Sequence, residues 1–580
     1  MRGEMRIPPS PPFSKGGTSP VPAQAELDFT TTPPFEKGGP GGISAHQGAR
    51  MTAAWMENLE LLAEAPDGIK KLRELILELA VRGKLVPQDP SDEPASELLK
   101  RIAAEKARLV KEGKIKKQKP LAEIGEEEKP FELPAGWEWG RLGSLTTKIT
   151  DGTHHSPTNT PNGEYRYISA KNIKPWGIDL SGMTYVTADV HREIYSRCDP
   201  AKGDVLYIKD GATTGVAAIN SLDEPFSMLS SVALLKTSVG LSNEYLLKAM
   251  TAHFFYQEMR AGMAGVAITR VTLAKLNNAI IPLPPLAEQH RIVAKVDELM
   301  ALCDRLEARQ ADAQRAHARL VQALLDSLTQ AQDAEDFQAA WERVAGCFEG
   351  VFSTEESVTA LANAMRRTIF SGRTSKNLEK WQPVNLKDVT CFLNGYAFKS
   401  EWFTQQGIKL ARNINISHGN INWADTAHID FDRAEEFKNF SLQAGDILLS
   451  LDRPIISTGL KMAVVSEQDL PCMLLQRVAK ITPAASKITA DFLLHWLRSP
   501  FFIEAIDPGR SNGVPHISTK QVGNLELLLP PLEEQHRIAA KVTELLALCD
   551  QLKAGIVAAR AKQAQLAEAL VKQAVATAAG

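Results

Sequence analysis

Cysteine is scarce in this chain: six residues among 580 (Cys198, Cys303, Cys347, Cys391, Cys472 and Cys549), with no Cys-x-x-Cys pair. That excludes a zinc cluster and a disulfide scaffold. No apolar run approaches the roughly 20 residues of a membrane span, and the N-terminus lacks the apolar segment of a secretory signal, so a cytoplasmic protein with no membrane role is expected. A basic surplus is also missing. Lys and Arg number 66 against 69 Asp and Glu, a formal charge of −3. A protein that grips nucleic acid by global charge is thereby excluded, leaving local patches or partner proteins to supply the phosphate contacts. Signatures of catalysis are lacking too. Gly211-Ala-Thr-Thr-Gly215 does not end in the Gly-Lys-Ser/Thr of a phosphate loop. Asp67 and Glu112 fall in helix and basic linker rather than together on strands. His154-His155 has no Cys or carboxylate cluster beside it to complete a metal shell. The expectation is a chain with no catalytic residue, no metal and no cofactor of its own.

What is present is a soluble composition, 44% hydrophobic and 23% charged, at a length that implies three or four modules. Residues 1–50 are rich in Pro and Gly and repeat PPFSKGG at Pro11 as PPFEKGG at Pro33; they are expected to form a disordered tail. Residues 51–130 form a helical region and basic linker. Ile69, Leu72, Ile76 and Leu79 recur at helical spacing and Gly83 follows where a helix ends. The run Lys106, Arg108, Lys111, Lys114, Lys116, Lys117 and Lys119 reads as a solvated helix face, with a DNA patch as the alternative.

One helix is written twice. From Leu283 to Ala308 and from Leu529 to Ala554, 20 of 26 positions match at an offset of 246 residues. Each copy starts after Pro-Pro and carries an apolar 4-3-4-3 seam. The first seam is Ile292, Val296, Leu299, Cys303 and Leu306; the second is Ile538, Val542, Leu545, Cys549, Leu552 and Ile556, running on to Leu566 and Leu570. Such seams fit partner helices, and a helix from Leu286 to Leu328 would be about 60 Å long at 1.5 Å per residue. The duplicated Gln289-His290-Arg291 and Gln535-His536-Arg537 read as the polar side of a helix start, shaping a domain junction or a partner surface. A weaker repeat sets Val358, Leu361, Met365, Thr368 and Gly372 against the first helix.

Between the helices lie two mixed regions, 131–282 and 380–529. Their skeletons correspond: Gly203-Asp-Val-Leu206 with Gly445-Asp-Ile-Leu448, Lys171-Asn172-Ile173 with Arg412-Asn413-Ile414, Val232-Ala233 with Val478-Ala479, and Tyr245-Leu-Leu247 with Phe492-Leu-Leu494. Their loops differ, as they would in one fold turned to two ligands.

These features together resemble the specificity subunit of a type I restriction-modification system. The resemblance is carried by the two PPLxEQHRI helices, Ile149-Thr-Asp-Gly-Thr-His-His-Ser-Pro157, Gly203 to Gly215, and Gly83-Lys-Leu-Val-Pro87. It covers residue 55 to the C-terminus. The second region departs from it, with Leu393-Asn-Gly-Tyr-Ala-Phe398 in place of the Asp-Gly-Thr-His-His-Ser-Pro segment. The resemblance implies an α+β architecture in which two mixed α/β target recognition domains (131–282 and 380–529) are separated by long antiparallel coiled-coil helices (283–379 and 530–580), a pseudo-twofold internal repeat. Each domain would read one half of a bipartite, asymmetric site on double-stranded DNA. Two DNA adenine methyltransferase subunits holding S-adenosylmethionine, and restriction/translocase subunits using ATP and Mg, would be the partners. The rival is a non-DNA coiled-coil scaffold with two peptide-binding domains.

Base reading needs paired donors or acceptors on exposed loops. The candidates are Lys148, Thr153, His154, His155, Lys171, Asn172, Lys209, Thr213, Thr214 and Arg270 in the first region. In the second they are Lys399, Arg412, Asn413, Arg453, Arg477, Arg510, Asn512, His516 and Lys520. Most lie near Gly or Pro turns. Asp151 is expected to form a turn rather than meet phosphate.

Overall fold

The computed structural model describes residues 59–261, 270–375, 377–456, 459–506 and 516–577. The chain divides into an N-terminal unit, which holds residues 59–312 together with 560–577, and a C-terminal unit, residues 313–559. The tail at 1–50 and Trp55 lie outside the described residues.

In the N-terminal unit, α1 (Leu59–Glu64) and α2 (Gly68–Val81) precede α3 (Ala95–Lys111). The mixed region opens with β1 (Glu138–Arg141) and β2 (Thr146–Asp151) and continues through β3 (Tyr165–Ile168), α4 (Ala188–Arg197), β4 (Val205–Ile208) and β5 (Ala217–Ile219). It ends with β6 (Ser227–Met228), β7 (Val232–Thr237), α5 (Asn243–Thr251) and β8 (Ile280–Leu283). Strands β2, β7, β4 and β5 form a four-stranded sheet in that order, while β1 pairs with β8 and closes the region on itself. Pro284 and Pro285 cannot donate to a ladder, and α6 (Leu286–Thr329) starts directly after them. Its 44 residues make a helix of about 66 Å.

The seam of α6 does not wait for a twin. Ile292, Val296, Leu299 and Cys303, all at most 2% exposed, enter one core with Leu72, Leu75, Ile76 and Leu79 of α2. Each such side chain contributes about 1.5–3 kcal/mol when fully buried. The helical phase predicted for α2 is thus the one observed, and Gly83 ends it at φ +67°. The basic run is mostly a solvated face, with Arg108, Lys111, Lys114, Lys116, Lys117 and Lys119 exposed; Arg108 pairs with Glu105 and Glu112, and only Lys106 turns inward, its Nζ donating to the carbonyls of Gly143 (2.6 Å) and Ser144. Burial lowers the Lys106 pKa to about 8.

The C-terminal unit repeats the plan. After α7 (Ala334–Gly346) and α8 (Glu355–Phe370), Gly372 terminates the helix at φ +75°. Strands β9 (Gln382–Asn385), β10 (Thr390–Asn394), β11 (Ile408–Ala411), β12 (Ile447–Ser450), β13 (Met462–Val464), β14 (Cys472–Leu474) and β15 (Val478–Pro483) follow. Then come α9 (Ala490–Leu497), β16 (Glu526–Leu529) and α10 (Leu532–Thr577). The order β10-β15-β12-β13 matches β2-β7-β4-β5, and β9 pairs with β16 as β1 does with β8. Ile538 and Val542 of α10 join the core of this unit's mixed region, whereas Cys549 packs with Val358, Leu361 and Met365 of α8. Leu566, expected in the seam, is 49% exposed, and Ala567 takes the buried position in the N-terminal unit. A straight helix drifts against a strict heptad, which accounts for the one-residue change of phase.

The duplicated Glu-Gln at each helix start is buried, and of the two roles expected for this helix start it takes the domain junction. Trp137 Nε1 donates to Glu288 Oε2 (2.9 Å) and Trp381 Nε1 to Glu534 Oε2 (3.2 Å). Gln289 Nε2 donates to the carbonyls of Pro284 and Gly240 while its Oε1 accepts from the Ser242 amide (2.9 Å). Gln535 does the same with Pro530, Lys487 and Thr489 (2.8 Å). Both glutamines are fully buried. Ser242 and Thr489 are the N-caps of α5 and α9. One side chain therefore ties the long helix, the strand before it and a domain helix in each unit. That is why the motif is duplicated while the loops between are not.

One substitution between the copies predicts a pH difference. In the N-terminal unit Lys248 of α5 pairs with Asp297 of α6 (2.7 Å); in the C-terminal unit His495 of α9 meets Thr543 of α10 through Nε2 (2.9 Å). Burial, then the Arg366 and Arg498 guanidiniums, lowers the His495 pKa to about 4. The unfolded chain binds this proton near pH 6.5 and the folded unit does not, so stability is complete above about pH 6.5 and declines as pH falls toward 4. His495→Gln is expected to flatten that decline in the C-terminal unit, read by hydrogen exchange across the pH series.

Candidate nucleic-acid interface

The antiparallel register places three strand ends side by side in each sheet. In the N-terminal unit Asp151 at the end of β2 pairs with Ala233, and Ile208 at the end of β4 pairs with Val232, the first residue of β7. The loops leaving these ends gather at one edge of the sheet. The 170–172 turn joins them, because the Ala170 amide donates to Ser231 Oγ (3.2 Å).

That edge carries a ladder of alternating charge. Asp151, only 1% exposed, accepts from Arg197 at the end of α4 (2.5 Å) and lies 3.4 Å from His154 Nε2 and 3.6 Å from Lys209 Nζ. Lys209 in turn pairs with Asp210 (2.8 Å), whose other oxygen faces Arg270 Nε at 3.3 Å. This last contact is an ion pair without an aligned hydrogen bond among the described residues. Burying a charge is tolerable only when it is paired, so the two carboxylates fix the cations around them. Asp151 is thus the hub of the edge, not the turn former its Asp-Gly context suggests. The turn is made instead by Gly152, where a Cβ would stand 1.8 Å from the Met228 carbonyl oxygen.

The C-terminal unit builds the same edge from other side chains. Asn394 ends β10 opposite Ala479, and Ser450 ends β12 opposite Val478. Gly395 makes the close approach to the Leu475 carbonyl, at 2.0 Å for a Cβ. Asp452 occupies the place of Asp210, two residues beyond its strand, and pairs with Arg477 (2.9 Å) and His516 (3.1 Å). Arg270 and His516 form the same isolated bridge to their aspartates and stand 246 positions apart, the offset of the duplicated helix. Arg453 and Arg477 sit at φ +47° and +69°. Left-handed backbone costs an L-residue about 1–2 kcal/mol, and strain of that kind collects at functional sites.

The candidates divide by placement. His154, His155, Lys171, Thr213 and Arg270 are exposed in the first unit, and Lys399, Arg453, Arg477, His516 and Lys520 in the second. His154 and His155 lie in a bend after the strand. Thr153 is half-buried, its Oγ1 engaged with the His155 backbone, and Lys148 is half-buried against Asp199 (2.6 Å). Arg412 is held by Asp425 (2.8 Å), and Asn413 Oδ1 accepts from Lys461 Nζ (2.9 Å).

Three candidates are corrected. Asn172 (6% exposed) accepts from the Ser169 amide and donates to the Asp179 carbonyl. Lys209 (5%) is consumed by the two aspartates, and Thr214 (3%) closes its own turn on the Gly211 carbonyl (2.7 Å). They shape the loops from inside. Arg510 and Asn512 lie outside the described residues. The pairing of Asn172 with Asn413 is also corrected: Asn415 accepts from the Arg412 amide and donates to the Asn422 carbonyl, so Asn415 is the counterpart of Asn172. Arg197 was missed by the sequence, because nothing along the chain ties the end of a helix to Asp151, 46 residues away.

Two sheet edges of one construction, carrying different cations on different loops, define a protein with two related but separately tuned recognition domains. Comparison gives the class. The family model described as the type I restriction modification DNA specificity domain matches twice, over residues 134–314 and 378–559. The chain is 42% identical over 569 residues to the type I restriction enzyme EcoAI specificity subunit of Escherichia coli, with 88% of this chain and 94% of that one covered. It is 32% identical to the EcoEI specificity subunit of the same organism, at the same coverage. A solved structure of the HsdS subunit from Thermoanaerobacter tengcongensis superposes with a TM-score of 0.41 at 21% identity, covering 77% of this chain and 98% of that one. This chain belongs to the specificity subunits of type I restriction-modification systems. It is the non-catalytic subunit.

Proposed function

We propose that each strand-end edge reads one half of a bipartite, asymmetric site on double-stranded DNA, and that α6 and α10 run antiparallel to set the unread gap, giving the chain a pseudo-twofold repeat. The observation that carries this is the repeated aspartate-held cation at equivalent strand ends, Arg270 on Asp210 and His516 with Arg477 on Asp452. A carboxylate behind an exposed cation fixes its direction without removing its charge, which is what base or phosphate contact requires. The reading residues are then the exposed ones: His154, His155, Lys171, Arg197, Thr213 and Arg270 in one half, and Lys399, Arg453, Arg477, His516 and Lys520 in the other.

The antiparallel reading is supported unit by unit. In the C-terminal unit Val321, Leu325 and Leu328 of α6 share a core with Leu545, Cys549 and Ile556 of α10; in the N-terminal unit Ile292 to Leu306 share one with Ala567 to Val575. Rising positions on one helix meet falling positions on the other. A spacer of about 66 Å exceeds the roughly 34 Å that separates half-sites one turn apart. Two DNA adenine methyltransferase subunits holding S-adenosylmethionine dock on this frame, and restriction/translocase subunits bring ATP and Mg. Those partners supply phosphate contacts that a chain of net charge −3 does not.

The test is a mobility shift of the chain with its methyltransferase subunits on a pool of duplexes. One bipartite sequence should be retained, with affinity falling as salt rises; retention without sequence preference would overturn the reading. Arg270→Ala in the same complex should cost about 1–3 kcal/mol of binding and relax discrimination in one half-site only.

A further inference from the structure

The two copies of the helix start differ in what covers them. In the N-terminal unit the chain leaves Gly83 and takes 54 positions to reach Trp137. On the way, residues 85–92 cross the first turn of α6. Leu85 is buried in the core (4% exposed), Gln88 Nε2 donates to Glu288 Oε1 (3.3 Å), and Asp92 seats on Arg291 (2.6 Å) with only 9% of its side chain exposed. In the C-terminal unit Gly372 and Trp381 are nine positions apart, and the covering segment has no counterpart. Ser375 Oγ takes over the bond to Glu534 (2.7 Å), but among the described residues nothing replaces Leu85 or Asp92.

The result is a cleft of about 1440 Å³, floored by Ile369, Trp381 and Ile538, walled by Trp341 and rimmed by Leu378 and Arg537. Exposure registers the missing cover. Ile538 is 8% exposed where Ile292 is 0%, Glu534 is 9% where Glu288 is 1%, and the Arg537 side chain is 52% exposed where that of Arg291 is 36%. Among the described residues Arg537 has only Glu534 as an ion-pair partner, at 3.7 Å, while Arg291 holds an aspartate at 2.6 Å. Leu378 is 41% exposed on the rim.

We propose that this cleft docks an extended segment of a partner protein that carries an apolar residue and, about a half-dozen positions on, a carboxylate, seated on Arg537 as Asp92 is on Arg291. The chain itself supplies the template for both halves of that recognition: an aliphatic side chain against the tryptophan and helix core, and a carboxylate against a guanidinium at a helix start. The inference rests on the reading of this chain as an assembling subunit, which makes a methyltransferase subunit the partner.

Two measurements test it. A labelled peptide with the sequence of residues 84–93 is titrated against the full chain by fluorescence anisotropy. Saturable binding is expected, weakened about tenfold or more by R537E and restored on R537E by a peptide in which the residue corresponding to Asp92 is Lys. Arg537 is half exposed, so R537E should leave the thermal transition in place, and an unchanged affinity would overturn the proposal. In the reconstituted complex, a photo-crosslinking residue at position 378 should couple to an acidic-apolar segment of the methyltransferase subunit. Coupling to a second copy of this chain, or none, contradicts the proposal. Sequence-specific DNA binding by the same complex, recorded in parallel, separates failure of the cleft from failure of the recognition reading.

Discussion

Asp151→Ala is expected to destabilise the N-terminal unit by about 3 kcal/mol, the low end for breaking a buried ion pair. The carboxylate is 1% exposed and stands within 3.6 Å of Lys209, itself 5% exposed. Its removal leaves Lys209 with Asp210 alone and releases Arg197 and His154. Lys209 keeping one partner is the reason for the low end. Hydrogen exchange read by mass spectrometry should show lost protection in β2, β4 and β7, with the C-terminal unit unchanged. The same variant should weaken recognition of one half-site while the other is read normally. Protection equal to the parent chain would show that the ladder does not organise the edge.

Gln289→Ala and Gln535→Ala form the second test, and their value is that they should behave alike. Each removes a fully buried amide that serves one backbone N–H and two carbonyls. Leaving such groups unpaired costs about 1–3 kcal/mol each, and partial relaxation brings the total to about 3 kcal/mol. The loss should be confined to the unit that holds the substitution: loosened α5 and its cap for Gln289, loosened α9 for Gln535. A large effect of one and none of the other would mean that the duplicated helix start has separate duties in the two copies.

The residues that make the repeat were readable because their signal is local. Pro-Pro followed by a 4-3-4-3 seam specifies a helix start whatever it packs against, and the matching core positions of α2 and α8 were found from spacing alone. What the seam packs against was not readable, since Ile292 and Val296 would suit either a partner helix or α2. The sequence left the duplicated Gln-His-Arg open between a domain junction and a partner surface, and both glutamines serve the junction. Only the fold shows that the caps of α5 and α9 come to meet them. The same limit explains the misaligned asparagines. Lys171-Asn-Ile and Arg412-Asn-Ile look alike, yet the turn is defined by a carbonyl seven residues on, which selects Asn172 and Asn415.

Charge was the least legible feature of the edges. Polar residues beside Gly were expected to face outward, yet Lys209 faces inward because the strand ends just before it and Asp151 waits there, and Thr214 because its hydroxyl closes the following turn on the Gly211 carbonyl. Conversely Asp151 was set aside as a turn former, although it holds cations that would otherwise point at random, as Asp210 and Asp452 also do. A contact list taken from sequence can find exposed Arg and Lys. It cannot find the buried acid that aims them.

The most direct measurement exchanges the loops of one edge and maps the methylated adenines made by the assembled complex. With residues 152–164 and 209–216 replaced by those of a relative that reads another site, one half of the methylated sequence should change, while the other half and the gap stay as they were. A change in both halves, or in the spacing between them, would contradict the assignment of one edge to one half-site.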